Sequence, residues 1–208
     1  MTSNNNHPDM ADRRPTPLQQ AGVAVRQLHA GEVFLREVPE AALARLRFLG
    51  TPSAGDRPFP DLPMQTGHCA GDDPEFLCLG PGEWLVISRS REPAALMEAL
   101  QPATAGGQAV ACDLSDGLSV LRLGGAAAPW LLAKLSCLDF VGAANGGRHC
   151  ARTRMVDIPV TVLHHAVDGD EWVFDLISAR STASYLWALL SAAAPHANEL
   201  IDNHGTRA

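Results

Sequence analysis

Arg152 and Arg154 come nearest, by residue type and spacing, to a binding site in this chain. Side chains two apart on a strand share a face, so the two guanidinium groups would stand side by side and could clamp a carboxylate through paired hydrogen bonds. The competing explanation is a solvated or inter-subunit ion pair, which accounts for most arginines so placed. His164 and His165 suggest a metal, yet neighbouring side chains on a strand point to opposite faces and cannot readily share one ion. His68 with Cys69, and His149 with Cys150, are adjacent donor pairs on expected loops. A zinc site uniting them would require the two loops to meet, and nothing in the spacing brings them together.

Other chemistries fail on a missing residue. Gly80 and Gly82 open a G-x-G-x-x-G pattern, but its third position is Leu85 and the segment continues as a strand, so no backbone cradle for a pyrophosphate is expected. No G-x-x-x-x-G-K-[ST] loop occurs, and Lys134, the only lysine, lies in an apolar helix. A G-x-S-x-G nucleophile elbow is also missing from the sequence. Asp113, Asp116, Asp139 and Asp157 fall at turns or strand ends, where turn formation explains them. The sequence thus nominates no catalytic, cofactor-binding or metal-ligating residue, and leaves Arg152 and Arg154 as an anion or partner contact.

Residues 1–20 are polar and proline-rich, too poor in apolar side chains to offset the entropy of ordering, and are expected to be a disordered tail. Residues 31–38, GEVFLREV, read as a strand. Pro39 then suits the first turn of a short helix carrying Leu43 and Leu46 on one face. Residues 50–74 form a long Pro-rich loop, expected either to wrap a partner or to lack order.

Beyond it the grammar becomes regular. EFLCL and EWLVIS flank Gly80-Pro81-Gly82 as a hairpin, and a helix starting at Pro93 buries Leu96, Met97 and Leu100. QAVACDL and LSVLRLGG flank Ser115-Asp116-Gly117 as a second hairpin, followed by a helix from about residue 127 with Leu131, Leu132 and Leu135 inside. ARTRMVDIPVTVLHH and EWVFDLIS flank Asp168-Gly169-Asp170 as a third, with Pro159 implying an edge or a bend. Ser181 caps a last helix that Pro195 should stop.

Hairpins followed by helices predict an α+β fold, a two-layer arrangement of helices on antiparallel or mixed sheet. Residues 21–196 should form one domain, with 197–208 as a C-terminal tail.

Composition narrows the function classes. The 208 residues are 46% hydrophobic, enough for one substantial core. With 23 acidic against 16 basic residues and no basic run, a nucleic-acid partner is disfavoured. No apolar stretch approaches the roughly 18–20 residues that span a bilayer, and the N-terminus has no apolar core of a signal peptide, so a cytoplasmic protein without a membrane partner is expected. The five cysteines, with no C-x-x-C pair, read as reduced thiols.

LLAKLSCLDF at 131–140, CARTRMVDIPVTVLH at 150–164, FDLISARSTASYLWALLSAA at 174–193 and LGPGEWLVIS at 79–88 together resemble the gamma subunits of heterotetrameric sarcosine oxidases. The resemblance covers roughly residues 75–195. It implies a fold like the folate-binding domain of the glycine-cleavage T-protein. It also implies flavoprotein alpha and beta subunits and a small delta subunit as partners, with FAD, FMN, NAD and tetrahydrofolate held there and none on this chain. In such complexes sarcosine is oxidatively demethylated to glycine and the one-carbon unit passes to tetrahydrofolate. The gamma subunit then acts in assembly or stabilisation, without catalytic residues of its own. Two alternatives stand beside it: the equivalent subunit of an N-methylglutamate dehydrogenase-type complex, and a stand-alone folate-binding protein in which Arg152 or Arg154 would hold the glutamate tail.

Overall fold

The computed structural model describes residues 15–24, 27–30, 33–50, 57–140, 147–165 and 172–205, with side chains to residue 197. The chain runs through α1 (Pro17–Gln20), β1 (Gln27–Ala30), β2 (Val33–Glu37), β3 (Ala42–Phe48), β4 (Cys69–Ala70), β5 (Glu75–Gly80) and β6 (Glu83–Ser88). It continues through α2 (Pro93–Ala99), α3 (Gln101–Thr104), β7 (Ala109–Asp113), β8 (Leu118–Gly124) and α4 (Ala128–Leu135). β9 (His149–Met155), β10 (Ile158–His164), β11 (Val173–Ala179) and α5 (Ala183–Gly205) complete it. One sheet has the order β1-β2-β8-β11-β10-β9 and the other β4-β5-β6-β3-β7. Every described strand pairing is antiparallel, in an α+β fold as the hairpin-and-helix grammar predicts.

Each sheet carries its helices on one face. Leu131 and Leu132 of α4 and Leu186 and Leu190 of α5 pack with Leu121, Leu123 and Phe174 over the six-stranded sheet. Leu96 and Leu100 pack with Leu46, Trp84 and Val86 over the five-stranded one. The remaining faces meet back to back, with Leu43, Leu77, Leu85 and Ile87 against Val120, Leu163 and Ile177. Strands covered on both sides lose the polar-apolar alternation of a half-buried sheet.

That loss explains the first difference from expectation. Residues 42–48 are a strand, β3, and not the short helix predicted from Leu43 and Leu46. β3 sits between β6 and β7, with Leu43 facing one core and Ala42, Ala44 and Leu46 the other. Ala and Leu favour helix in isolation, but pairing on both edges and burial on both faces override so weak a preference.

The second and third hairpins are also redrawn. β7 and β8 do not pair: β7 bonds β3 in one sheet while β8 lies between β2 and β11 in the other, so Ser115-Asp116-Gly117 is a crossing between sheets. The long strand predicted over 151–165 is folded in two, as β9 and β10 pair across Val156 and Asp157. Val156 has φ of 55°, a conformation β-branched residues rarely adopt, so no glycine or asparagine advertises this turn. β10 does pair with β11 as expected, the intended turn at 168–170 lying outside the described residues. The Gly80–Gly82 hairpin forms as predicted, with Gly82 at φ of 72°.

Both predicted tails shrink. Residues 1–14 lie outside the described residues, but α1 is closed by a capping box between Thr16 and Gln19, and Leu18 is fully buried. At the other end α5 runs past Pro195 to Gly205. Ala194 and Ala197 continue the buried stripe of Leu186 and Leu190, and that packing offsets the lost backbone hydrogen bond at proline. Of the Pro-rich loop, residues 57–74 cover their own sheet: Leu62 is buried, and the Trp84 indole Nε1 donates to the Pro63 carbonyl at 2.6 Å.

Candidate functional site

A carboxylate amid apolar neighbours is the least expected feature of a core strand, and two such groups organise the polar interior. Glu75 opens β5, and Asp175 lies between Phe174 and Leu176 in β11; both are fully buried. A buried carboxylate persists only when its lone pairs are filled. Arg122 grips Asp175 with two prongs, Nε to Oδ1 at 2.7 Å and Nη2 to Oδ2 at 2.8 Å. β8 and β11 are in register there, placing Arg122 directly opposite Asp175. His165 Nε2 lies 2.9 Å from Oδ2.

Arg89, just beyond the end of β6, joins the two sheets. Its Nη1 donates to Glu75 Oε2 at 3.0 Å and its Nη2 to Asp175 Oδ2 at 2.8 Å. Arg148 completes the set, with Nη2 at 2.5 Å from Glu75 Oε1 and Nη1 at 3.4 Å from Asp72. The arginines reach the surface, with side chains 31%, 19% and 30% exposed at Arg89, Arg122 and Arg148, so their positive ends remain partly hydrated.

Electrostatics follow from the geometry. Burial alone would raise the pKa of Asp175, but the hydrogen bonds from Arg122 and His165 outweigh it and hold the carboxyl well below its usual range. With both oxygens occupied and ionised, Asp175 has no room to take a proton from a substrate. The arrangement ties two sheets together. It does not present a poised acid or base.

Beside this clamp the two His-Cys pairs do meet. His68 and His149 form an antiparallel bridge, and the Cys150 amide donates to the Gly67 carbonyl at 2.7 Å. Gly67 has φ of 90°, and a Cβ there would lie 2.6 Å from His149 Cε1, so only glycine lets that ring pack. The two thiols meet as well, and Cys150 Sγ also lies 3.6 Å from the Cys78 carbonyl. Its hydrogen bond with Cys69, followed by burial, pushes the Cys69 thiol pKa upward, away from the thiolate a metal needs. Among the described residues no group of three or more His, Cys, Asp and Glu could hold a metal ion.

His164 and His165 point to opposite faces, as their adjacency requires. His165 joins the Asp175 clamp, whereas His164 is 5% exposed and packed against both Trp172 and Phe174, with ring centroids 5.5 and 5.0 Å away. Its nitrogens have no well-formed hydrogen bond among the described residues, only the approach of the Gly147 backbone. Burial keeps its pKa below the ordinary 6.5.

Arg152 and Arg154 share a face of β9, but each is engaged by its own chain. Arg152 bonds Glu83, which Arg45 also meets at 3.5 Å. Arg154 donates to the Asp157 carbonyl at 3.0 Å. The arginines that act together are Arg89, Arg122 and Arg148. What could have pointed to them is the lone acid in Phe174-Asp175-Leu176, and the acid that opens Glu75-Phe76-Leu77, each demanding a cation from elsewhere in the chain.

Comparison with known proteins adds a consistent picture. The model of the sarcosine oxidase, gamma subunit family matches residues 60–196. The sarcosine oxidase subunit gamma of Arthrobacter sp is 34% identical over 155 residues, 71% of this chain and 75% of that protein. The subunit gamma of Corynebacterium sp. (strain P-1) is 33% identical over 154 residues, with the same 71% and 75% coverage. Among solved structures, a chain of the heterotetrameric sarcosine oxidase from Corynebacterium sp. U-96 in complex with pyrrole 2-carboxylate superposes with a TM-score of 0.73 and 26% identity, covering 88% of this chain and 95% of that one. The glycine cleavage system aminomethyltransferase T from Bartonella henselae shares the fold at a TM-score of 0.54 and 14% identity, over 77% of this chain and 46% of that one.

Proposed function

The chain belongs to the sarcosine oxidase gamma subunit family, and on that premise we propose that it is a structural subunit of a heterotetrameric oxidase, acting in assembly and stabilisation and not in the chemical step. The observation that carries this is the extent of the structural match, which takes in nearly the whole of a chain from the heterotetrameric enzyme. The interior supports it, because Glu75 and Asp175 commit their lone pairs to arginines and so serve rigidity. In this reading its partners are the flavoprotein alpha and beta subunits and the small delta subunit. FAD, FMN, NAD and tetrahydrofolate reside there, and sarcosine is demethylated to glycine with its one-carbon unit passed to tetrahydrofolate. A stand-alone folate carrier gains nothing from Arg152 or Arg154, both of which are turned toward their own chain.

Co-expression of a tagged form of this chain with the flavoprotein subunits tests the proposal. The subunits should co-purify with it, and omitting it should lower the yield or stability of the oxidase. Flavoprotein subunits that do not co-purify, and that show undiminished activity when this chain is omitted, would overturn the reading.

A further inference from the structure

An open sheet ends in edge strands, each offering a row of unpaired backbone groups that proteins ordinarily protect. Of the four described edges, three are protected. β4 is only two residues long, β1 exposes the polar Gln27 and His29, and β9 carries Arg152 and Arg154. β7 is the exception: it closes the five-stranded sheet beside β3, and its Ala109-Val110-Ala111-Cys112 has no charge, proline or bulge.

The ladder fixes which groups of β7 are free. The Leu49 amide donates to the Gln108 carbonyl at 2.8 Å and the Leu114 amide to the Leu43 carbonyl at 2.7 Å, in one continuous register. Antiparallel bonding alternates along a strand, so Val110 and Cys112 also turn their N–H and C=O groups to β3. Those of Ala109 and Ala111 face away from the sheet, and among the described residues no hydrogen bond reaches them. An open groove of about 660 Å³ runs beside them, walled by Ala94 and Met97 of α2 and Gln101 and Thr104 of α3.

On the other face the six-stranded sheet stops short of this edge. Leu43 is buried against it, whereas Arg45, Arg47, Val110 and Cys112 are exposed. Arg45 and Arg152 share Glu83, and Arg47 has no partner among the described residues, so this corner is basic in a chain of net charge -7.

We propose that β7 is the docking edge for an extended acidic segment of a partner polypeptide, which adds to the five-stranded sheet as a sixth strand. The inference rests on the subunit reading above, the partner being a flavoprotein subunit of the complex. The free groups of Ala109 and Ala111 supply main-chain hydrogen bonds, and alternate side chains of the added strand fall on the two faces. Those entering the groove meet Ala94 and Met97 and are apolar, since Glu98 beside them opposes an acid there. Those on the open face are Asp or Glu: Arg47 lies opposite Val110 and can reach across the roughly 5 Å of one strand to a carboxylate. A second copy of β7 would bring only Val110 and Cys112 to that face, where Arg47 calls for an acid.

The test compares binding of the flavoprotein subunits to the intact chain and to variants, with thermal melting to establish that each is folded. Ala111→Pro removes the outward N–H without touching the ladder to β3, and Ala111→Gly, which keeps that N–H, is its control. Val110→Glu, on the exposed face, sets a like charge against the acidic segment and carries the test if proline unfolds the chain. Either should weaken assembly about tenfold or more, with Ala111→Gly unchanged within about threefold. Arg47→Ala should weaken it about threefold and flatten its salt dependence. Hydrogen exchange across residues 108–113 should slow on assembly. Wild-type affinity in folded Ala111→Pro or Val110→Glu, or exchange there that assembly leaves unchanged, would overturn the docking edge. So would a homodimer of the isolated chain that these variants abolish while assembly persists. Failure of the wild-type chain itself to bind the flavoprotein subunits would instead defeat the subunit reading.

Discussion

Glu75 and Asp175, buried in different sheets, are held by the same guanidinium, with Arg89 Nη1 on one and Nη2 on the other. Two strands 100 residues apart, roughly 330–360 Å along a fully extended chain, are thereby pinned by one side chain.

Arg89→Met should therefore destabilise far more than loss of a surface arginine. Each carboxylate keeps one arginine, so the cost is below that of stranding a charge completely, at about 2–4 kcal/mol. Arg89→Lys should recover only part, since an ammonium cannot reproduce the two-pronged bridge. Urea denaturation of both variants provides the check, and a loss under about 1 kcal/mol for Arg89→Met would show that the bridge contributes little.

Acid sensitivity should come from histidine before carboxylate. His164 is kept neutral in the folded chain by burial, and the unfolded chain takes up a proton below about pH 6.5 that the folded chain resists. Its contribution is complete above that pH and is lost as pH falls below it, at up to about 1.4 kcal/mol per pH unit. The lowered pKa of His149 acts in the same direction. Asp175, with its depressed pKa, loses its contribution only at strongly acid pH. His164→Phe should keep the packing against Trp172 and Phe174 and flatten the dependence between pH 7.5 and 5.5, as read from urea midpoints at about those two pH values.

Leu18→Ala should cost about 2–5 kcal/mol, the range for emptying a core leucine site. A disordered tail would show no change in melting. Leu18 stands alone among Pro, Thr and Gln, so its burial was not legible in the sequence; it depends on Glu37, 19 residues away, accepting from its amide.

What was legible followed local rules. The turn at Gly80–Gly82, the α2 start at Pro93 and the α4 stripe of Leu131 and Leu132 depend on neighbours within one turn. The α+β class followed from them. The illegible parts depend on residues far apart: β3 reads as helix until both its edges are paired, and the Val156-Asp157 turn carries no glycine. The clamp was missed for the same reason, as Asp175 finds Arg89 86 residues away. Arg152 and Arg154 stood out because their relation is local.

Gly67→Ala should destabilise by about 1–3 kcal/mol, since φ of 90° and a Cβ at 2.6 Å from His149 Cε1 both oppose it. His149→Ala in the same background removes the collision and should recover part of that loss, while the backbone strain remains. Thermal unfolding of the single and double variants separates the two contributions; equal losses in both would refute the steric one.

The proposed role as one subunit of a heterotetramer fixes a stoichiometry. Native mass spectrometry of the co-expressed complex, with sarcosine-dependent oxygen consumption measured on the same sample, tests it most directly. One copy of this chain per active, flavin-containing complex is the predicted result. A fully active flavoprotein complex without this chain, with the chain recovered alone or paired with itself, would contradict it.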